Sequence, residues 1–274
     1  MMKELKLRGF VSPDAFQGTP TEQLQKALDV SHTLDIGRVV VTGDWIVDAP
    51  LRIHAMTELV LEHASLAVSG DFPLLVSSAL DDESRASWSF EDKFIRLTGT
   101  DAVLDGDLVF YHIHHLVLTG LELRRTAKFF FVREVRVTDC SLSGEIGLLI
   151  GRGSNNFIVQ NLSGACEKAA ILADAAAQMG EYVLGKETEV HELILQDSTF
   201  HMSAPAIVLH ATEDAQVFNL QIDHIANDGP ILLVGDPAET LPETQYYNLT
   251  VVECTSSSSD QVILKNPTRH CYFA

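Results

Sequence analysis

The strings LVLEH (from Leu59), IRLTG (from Ile95), LVLTG (from Leu116), VRVTD (from Val135), FIVQN (from Phe157), LILQD (from Leu193), FNLQI (from Phe218) and YNLTV (from Tyr247) decide the fold of this chain. Each is a short apolar alternation ending in Thr, Gln or Glu and, in most, a small or polar residue. Successive starts differ by 36, 21, 19, 22, 36, 25 and 29 residues. A shortest period near twenty, stretched by insertions, is the sequence form of a coiled solenoid of strands. Alternation puts every second residue in the core, and stacking rung on rung turns aligned positions into columns. The column Thr98, Thr119, Thr138, Gln160, Gln196, Gln221, Thr250 is therefore expected to be a hydrogen-bonding ladder.

A second set of apolar strings follows the first by roughly nine to twelve residues: LLIG from Leu148, ILAD from Ile171, IVLH from Ile207, LLVG from Leu232 and VILK from Val262. Two short strands per rung, joined by turns, predict a right-handed parallel β-helix of two or three sheets. Upstream, GRVVVTGDWIVDAPLRI alternates like strands broken by turns at Gly43-Asp44 and Ala49-Pro50. The segment TPTEQLQKALDVSHTLD is the one convincing helix, at about residues 19–35. Thr19 and Glu22 have capping-box spacing, and Pro20 takes the first helical position, where its missing N–H is harmless. Leu24, Ala27, Leu28 and Leu34 supply an apolar stripe, so the helix should cap the open first rung. The whole chain, 1–274, reads as one all-β domain with rungs over about 39–274. The breaks in the period fall on DDESRASWSFED (Asp81 to Asp92), ADAAAQMGEYVLGKETE (Ala173 to Glu189) and DPAETLPETQ (Asp236 to Gln245).

The formal charge of -19 opposes nucleic-acid and anionic-membrane partners, which would repel the chain. It also disfavours a bare polyanionic substrate unless bound cations invert the local field. Cys140, Cys166, Cys254 and Cys271 lack CxxC spacing and read as small buried thiols, with Cys254 and Cys271 about a rung apart. The opening MMKELKLRGF has no apolar signal core. This leaves two settings, inside the cell or outside it behind a leader already removed.

The N-terminal GTPTEQLQKALDVSH, the strands after it, and IRLTGTDAVLDGD (Ile95 to Asp107) resemble the pectin-lyase-like β-helix proteins. VRVTDCSLSGEIGLLIGRGSNNFIVQNLSG (Val135 to Gly164) is similar to the catalytic rungs of polygalacturonase-type glycoside hydrolases. The resemblance implies a parallel β-helix and a polysaccharide or oligosaccharide ligand. It also allows a test of the catalytic motifs. Where the family carries Gly-Asp-Asp-Cys, this chain has Gly144-Glu145-Ile146-Gly147, so one carboxylate, Glu145, is kept. The family's Gly-His-Gly falls on Lys168-Ala169-Ala170. Its Asn-Thr-Asp falls near Arg125 to Ala127, and its Arg-x-Lys near Ala206 to Val208; none is matched. Inverting hydrolysis requires two carboxyl groups about 6.5–9.5 Å apart, and this alignment offers one.

The ends of the second strings suggest another strip. Arg152, Asp174, His210 and Asp236 would line it over four rungs, with Asp174 and His210 one rung apart and Asp174 and Asp236 about 10 Å apart. On a hydrolase reading Glu145, Asp174, Asp236 and His210 are the candidate catalytic residues, and Arg152 and Lys168 the candidate substrate-binding ones. A non-catalytic glycan-binding or structural β-helix is the rival, and association into a homo-oligomer is compatible with either. A lyase, third in order, would use Arg152 or Lys168 as base with calcium held by Asp139, Glu145 and Asp174. No cofactor or metal is expected otherwise. In the string HIHH (His112, His114, His115), His112 and His114 share a strand face suited to a metal, but no further ligand of fixed spacing accompanies them, and the three read as a surface or turn-lining histidine group. Sugar-stacking rings are few: Trp45, Trp88, Tyr182 and one ring of the FFFV stretch from Phe129. SSSSD (Ser256 to Asp260) reads as a turn.

Overall fold

In the computed structural model, residues 6–78, 92–177, 188–236 and 241–274 are described. The expected helix spans Pro20–Thr33 and has the full capping box: Glu22 N donates to Thr19 Oγ1, and Thr19 N donates to the Glu22 carboxylate at 2.8 Å. Its buried face is Leu24, Ala27, Leu28 and Ser31; Leu34 lies one residue beyond, at the C-cap. Side chains of this helix satisfy backbone groups of the first rung. Thr21 Oγ1 accepts from Asp48 N at 2.8 Å, and Gln25 Oε1 accepts from Arg52 N at 2.7 Å. At the neighbouring strand Val11 does the same through its own backbone, bonding Arg38 and Val40. An edge that would otherwise present unpaired N–H and C=O groups is thus covered.

The strand register is parallel throughout the ladders, and bulges at the corners divide it into three faces, here called sheets, around one apolar core: the first pairs 38–42 with 58–62, the second pairs 44–47 with 65–68 and 141–144 with 163–166, and the third pairs 51–53 with 75–77. In the first sheet Val39, Leu59, Leu97, Leu118, Val137, Val159, Leu195, Ile222 and Val251 stack as one column. Every member is buried, because each occupies the inward phase of the alternation. The third sheet stacks Leu51, Leu75, Leu108, Ala127, Leu148, Ile171, Ile207, Leu232 and Val262. This is the register expected for the LLIG, ILAD, IVLH, LLVG and VILK strings.

The first-sheet strings are in register from Ile95 through Leu116, Val135 and Phe157 to Leu193. On either side the register departs from the expected one by two residues. Leu59 pairs with Leu97 rather than Ile95, and Leu193 with Leu220 rather than Phe218. The polar column accordingly continues from Gln196 to Asp223 and Val252, while Gln221 and Thr250 pair with each other and with Ile194. A slip of two keeps every side chain on its own face, so alternation alone does not detect it. The expected ladder survives locally as a 3.0 Å bond from Thr138 to Thr119; Gln160 bonds Asp197 instead of Gln196.

Two corners of each rung are turned by residues in the left-handed region. Before the first sheet they include Met56, Phe94, His115, Glu134, Asn156, Glu192, Asn219 and Asn248, with φ between 54° and 65°. After it they are Gly43, His63, Asp101, Gly120, Asp139, Asn161, Asp197, His224 and Glu253. Glycine, asparagine and aspartate tolerate this conformation best, which accounts for the small or polar residue closing most of the repeated strings. The Gly43-Asp44 turn is one such corner, a bulge inside the continuous strand Arg38–Val47.

Several aromatic expectations are overturned. Trp45 is buried with its indole N–H given to Thr42 O at 2.8 Å, so its face is closed to a sugar. All of Phe129, Phe130, Phe131 and Val132 are buried: Phe129 joins the main core, and Phe130 and Phe131 pack with Val76, Val109 and Tyr111 on the outer side of the third sheet. Trp88, Tyr182 and most of the three insertions lie outside the described residues. All four cysteines are free thiols.

Candidate functional site

The residues proposed from the sequence fall into two separate groups. Glu145 lies at the bulge where the strand Ser141–Gly151 bends from the second sheet into the third. It sits opposite Glu167 and Lys168 and forms an ion pair with Lys168; the two side chains are 58% and 69% exposed. The carboxylate's hydrogen bond and charge raise the lysine pKa. An exposed pair of this kind adds little to stability.

Six residues further along that strand, Gly151 pairs with Asp174, and Asp174 with His210. Asp174 and His210 meet as expected: His210 Nδ1 lies 2.8 Å from Asp174 Oδ1, at 25% and 17% side-chain exposure. The same oxygen accepts from Ala176 N at 2.9 Å and Ala177 N at 3.2 Å. This carboxylate therefore shapes the turn after its own strand. Arg152 lies one residue past Gly151, and Asp236 one residue past Gly235, whose N–H bonds Leu209 O. Both stand one step beyond the Asp174–His210 column. Along the strand Glu145 is up to about 20 Å from that column, well outside the reach of one acid pair.

The concave surface lies elsewhere, along the outer face of the first sheet at its entry corner. One cleft of about 380 Å³ is lined by Met56, Glu58, Phe94, Arg96, His115 and Val117, among others. The next, about 430 Å³, shares His115 and Val117 and adds Glu134, Arg136, Asn156 and Ile158. A third, about 420 Å³, shares Asn156 and Ile158 and continues over Glu192, Ile194, Asn219 and Gln221. The shared residues make these a continuous groove running along the coil axis. Met56, Phe94 and Ile194, among the exposed large apolar side chains, lie in it. From Met56 to Asn219 it crosses six rung steps, about 29 Å at the strand spacing.

Two flanking features complete the description. Beside the groove, His191, Phe218 and Tyr247 stack with centroids 4.8 and 4.6 Å apart and planes within 6° and 5°. Phe218, in the middle, has both of its faces covered by the other two rings. At the opposite corner a cleft of about 580 Å³ is lined by Asp101, Glu122, Asp139 and Asn161. Each of its acids is engaged, Asp101 with His63 at 3.0 Å, Glu122 with Arg124 at 2.6 Å and Asp139 with Asn161 at 2.5 Å. None of the four clefts is lined by Glu145, Lys168, Arg152, Asp174, His210 or Asp236.

Fold comparison agrees with the strand register. The chain is similar to the Streptococcus pneumoniae surface adhesin PfbA, with TM-score 0.54 and 9% identity over 97% of this chain and 93% of that one. It is similar to a Yersinia enterocolitica family 28 exopolygalacturonase, with TM-score 0.58 and 11% identity over 96% and 78%. It is also similar to the A-module of the Azotobacter vinelandii mannuronan C-5 epimerase AlgE6, with TM-score 0.53 and 12% identity over 96% of each chain. The chain is a right-handed parallel β-helix. No family model and no curated protein matches the sequence of this β-helix. At such identities the likeness carries fold alone, and the structural neighbours include both carbohydrate-active enzymes and an adhesin. No helix among the described residues is long and apolar enough to cross a membrane.

Of the groove residues the sequence singles out only His115, within HIHH, and Gln221, in the polar column, yet a signal for the others exists. Phe94, His115, Glu134, Asn156 and Glu192 each stand one position before a repeated string. That position is the left-handed corner, which aims the side chain out of the rung.

Proposed function

We propose that this β-helix is a non-catalytic glycan-binding protein that holds an extended, uncharged oligosaccharide or polysaccharide along the first-sheet groove. The observation carrying this reading is the continuity of the groove from Met56 to Asn219 through shared lining residues. It combines apolar surface from Phe94, Val117, Ile158 and Ile194 with amide, carboxylate and guanidinium groups. A sugar ring offers apolar C–H faces and a hydroxyl rim, and such a lining suits both. The charge of -19 favours a neutral chain over a polyuronate.

A diverged glycoside hydrolase is the second reading, favoured by Glu145 at the position matching one family carboxylate. Against it stand Ile146 at the second acid position and the pairing of Glu145 with Lys168 outside the groove. The test is a panel of neutral and acidic polysaccharides, with and without calcium, scored both for retention of the protein and for release of reducing ends. The expected result is retention by a neutral glycan without cleavage, at least tenfold weaker in Phe94→Ala and Arg136→Ala and unchanged in Glu145→Gln. Reducing ends released by the wild type and abolished in Glu145→Gln would establish the hydrolase instead.

A further inference from the structure

The string HIHH looks like a metal motif with too few ligands, and the fold rearranges it. His112 takes a left-handed conformation and is buried at 3% exposure, which removes it from the outer corner. His115 is also left-handed, and this breaks the strand alternation immediately after His114. The two imidazoles therefore emerge on one side, with ring centroids 4.0 Å apart. One rung on, Glu134 is left-handed in turn and brings its carboxylate to both rings. Oε1 lies 2.8 Å from His114 Nε2, and Oε2 lies 2.6 Å from His115 Nδ1. One ligand atom from each residue falls within 4.8 Å of the other two.

We propose that His114, His115 and Glu134 form a binding site for a first-row divalent cation of the zinc class, with its remaining coordination position open toward the groove. Two imidazole nitrogens and one carboxylate oxygen are a donor set that such ions prefer over calcium or magnesium, which take oxygen ligands. At bond lengths of 2.0–2.1 Å a tetrahedral site has ligand–ligand edges of about 3.3 Å. The present 2.6 and 2.8 Å contacts must open by about 0.7 and 0.5 Å, and the stacked rings must turn edge-on to a common point. Side-chain exposures of 21%, 38% and 42% leave room for that movement. To serve as ligands both imidazoles must be neutral with the proton on the ring nitrogen away from the metal, so that lone pairs replace the N–H groups that now face Glu134.

The other cluster, Asp223, His224 and Glu253, differs in kind. Its single imidazole is held from both sides, Nδ1 at 2.7 Å from Asp223 and Nε2 at 2.6 Å from Glu253. It serves as the internal control for adventitious binding to an acidic surface.

The proposal does not rest on glycan binding, and the probe is the metal alone. Metal-stripped full-length protein is titrated calorimetrically with zinc in the presence of excess calcium, and cobalt(II) is added separately to read its visible spectrum. The expected result is one tight site, weakened at least tenfold in His115→Ala and Glu134→Gln, unchanged in His224→Ala, with a cobalt spectrum of tetrahedral coordination lost in the same two variants. Circular dichroism verifies folding, and if His115→Ala does not fold, the exposed Glu134→Gln carries the same test. Equal zinc affinity in wild type and Glu134→Gln, loss of the site in His224→Ala, or displacement of zinc by calcium would each overturn the proposal.

Discussion

Replacing Asp174 by alanine distinguishes a turn-forming carboxylate from a catalytic one. Asp174 Oδ1 accepts from Ala176 N, Ala177 N and His210 Nδ1. Ala177 N also donates to Asp174 O at 3.1 Å, so it keeps a partner in the variant. The change thus removes the side-chain acceptor of one backbone N–H and one partner of the His210 imidazole in a mostly buried corner. Bonds to a charged group contribute about 1.5–3 kcal/mol each when well shielded. With partial exposure taken into account, the loss should be about 2–3 kcal/mol. For a chain of this size that corresponds to a fall in Tm of roughly 3–6 °C. Asp174→Asn keeps one oxygen for the turn and should lose about 1 kcal/mol, as should His210→Ala. Urea unfolding followed by circular dichroism gives the four corners of a double-mutant cycle, in which Asp174→Ala and His210→Ala should couple by about 1 kcal/mol. If Asp174→Ala melts within about 1 °C of wild type, the turn-forming role is refuted. Unchanged stability with lost glycan processing would return Asp174 to the catalytic group.

Gly164 tests the close approach of neighbouring rungs. At φ +137 an added Cβ would meet Leu142 O at 2.0 Å, a backbone atom with no room to move. Gly164→Ala should cost more than about 3 kcal/mol and give little soluble folded protein; a normal melt would contradict the stacking. The buried thiols give a pH dependence. Desolvation pushes Cys140 and Cys166 up to about 11 from an ordinary value near 9. Unfolded chains release these protons first as pH rises, so the contribution is complete below about pH 9 and is lost through about pH 11. Iodoacetamide at neutral pH should leave both unmodified until denaturant is added, and labelling of either in the native protein would contradict their burial.

The core was legible because it is periodic. Val137, Val159 and Leu195 occupy the columns that alternation assigns, and the third-sheet strings pair as read. The capping helix was legible for a local reason, since Thr19, Pro20 and Glu22 carry their meaning within four residues. The two-residue slips at Leu97 and Leu220 escaped because they leave every residue on its own face. Trp45 and one ring of the FFFV stretch, expected as sugar platforms, are buried, because composition does not report which face a ring takes. His112 and His115 exchanged roles at the corner, where a positive φ interrupts the alternation that placed His112 beside His114. The Asp174–His210 contact followed from register alone, whereas the second job of Asp174, in its own turn, depends on backbone geometry that a column alignment does not contain.

The left-handed corner before the first sheet acts as a graduated scale. Its divisions are fixed by the strand spacing at about 4.8 Å, but neighbouring marks differ: Met56, Phe94, His115, Glu134, Asn156, Glu192 and Asn219 follow one another, and only glutamate and asparagine recur. A periodic polymer laid along it meets equal intervals with unequal chemistry. Only a ligand whose own repeat is commensurate with that interval can match several marks at once, and shifting it by one division changes every contact together. On the glycan-binding reading, the regular backbone would set the spacing a ligand must have, and the irregular side chains the position at which it stops.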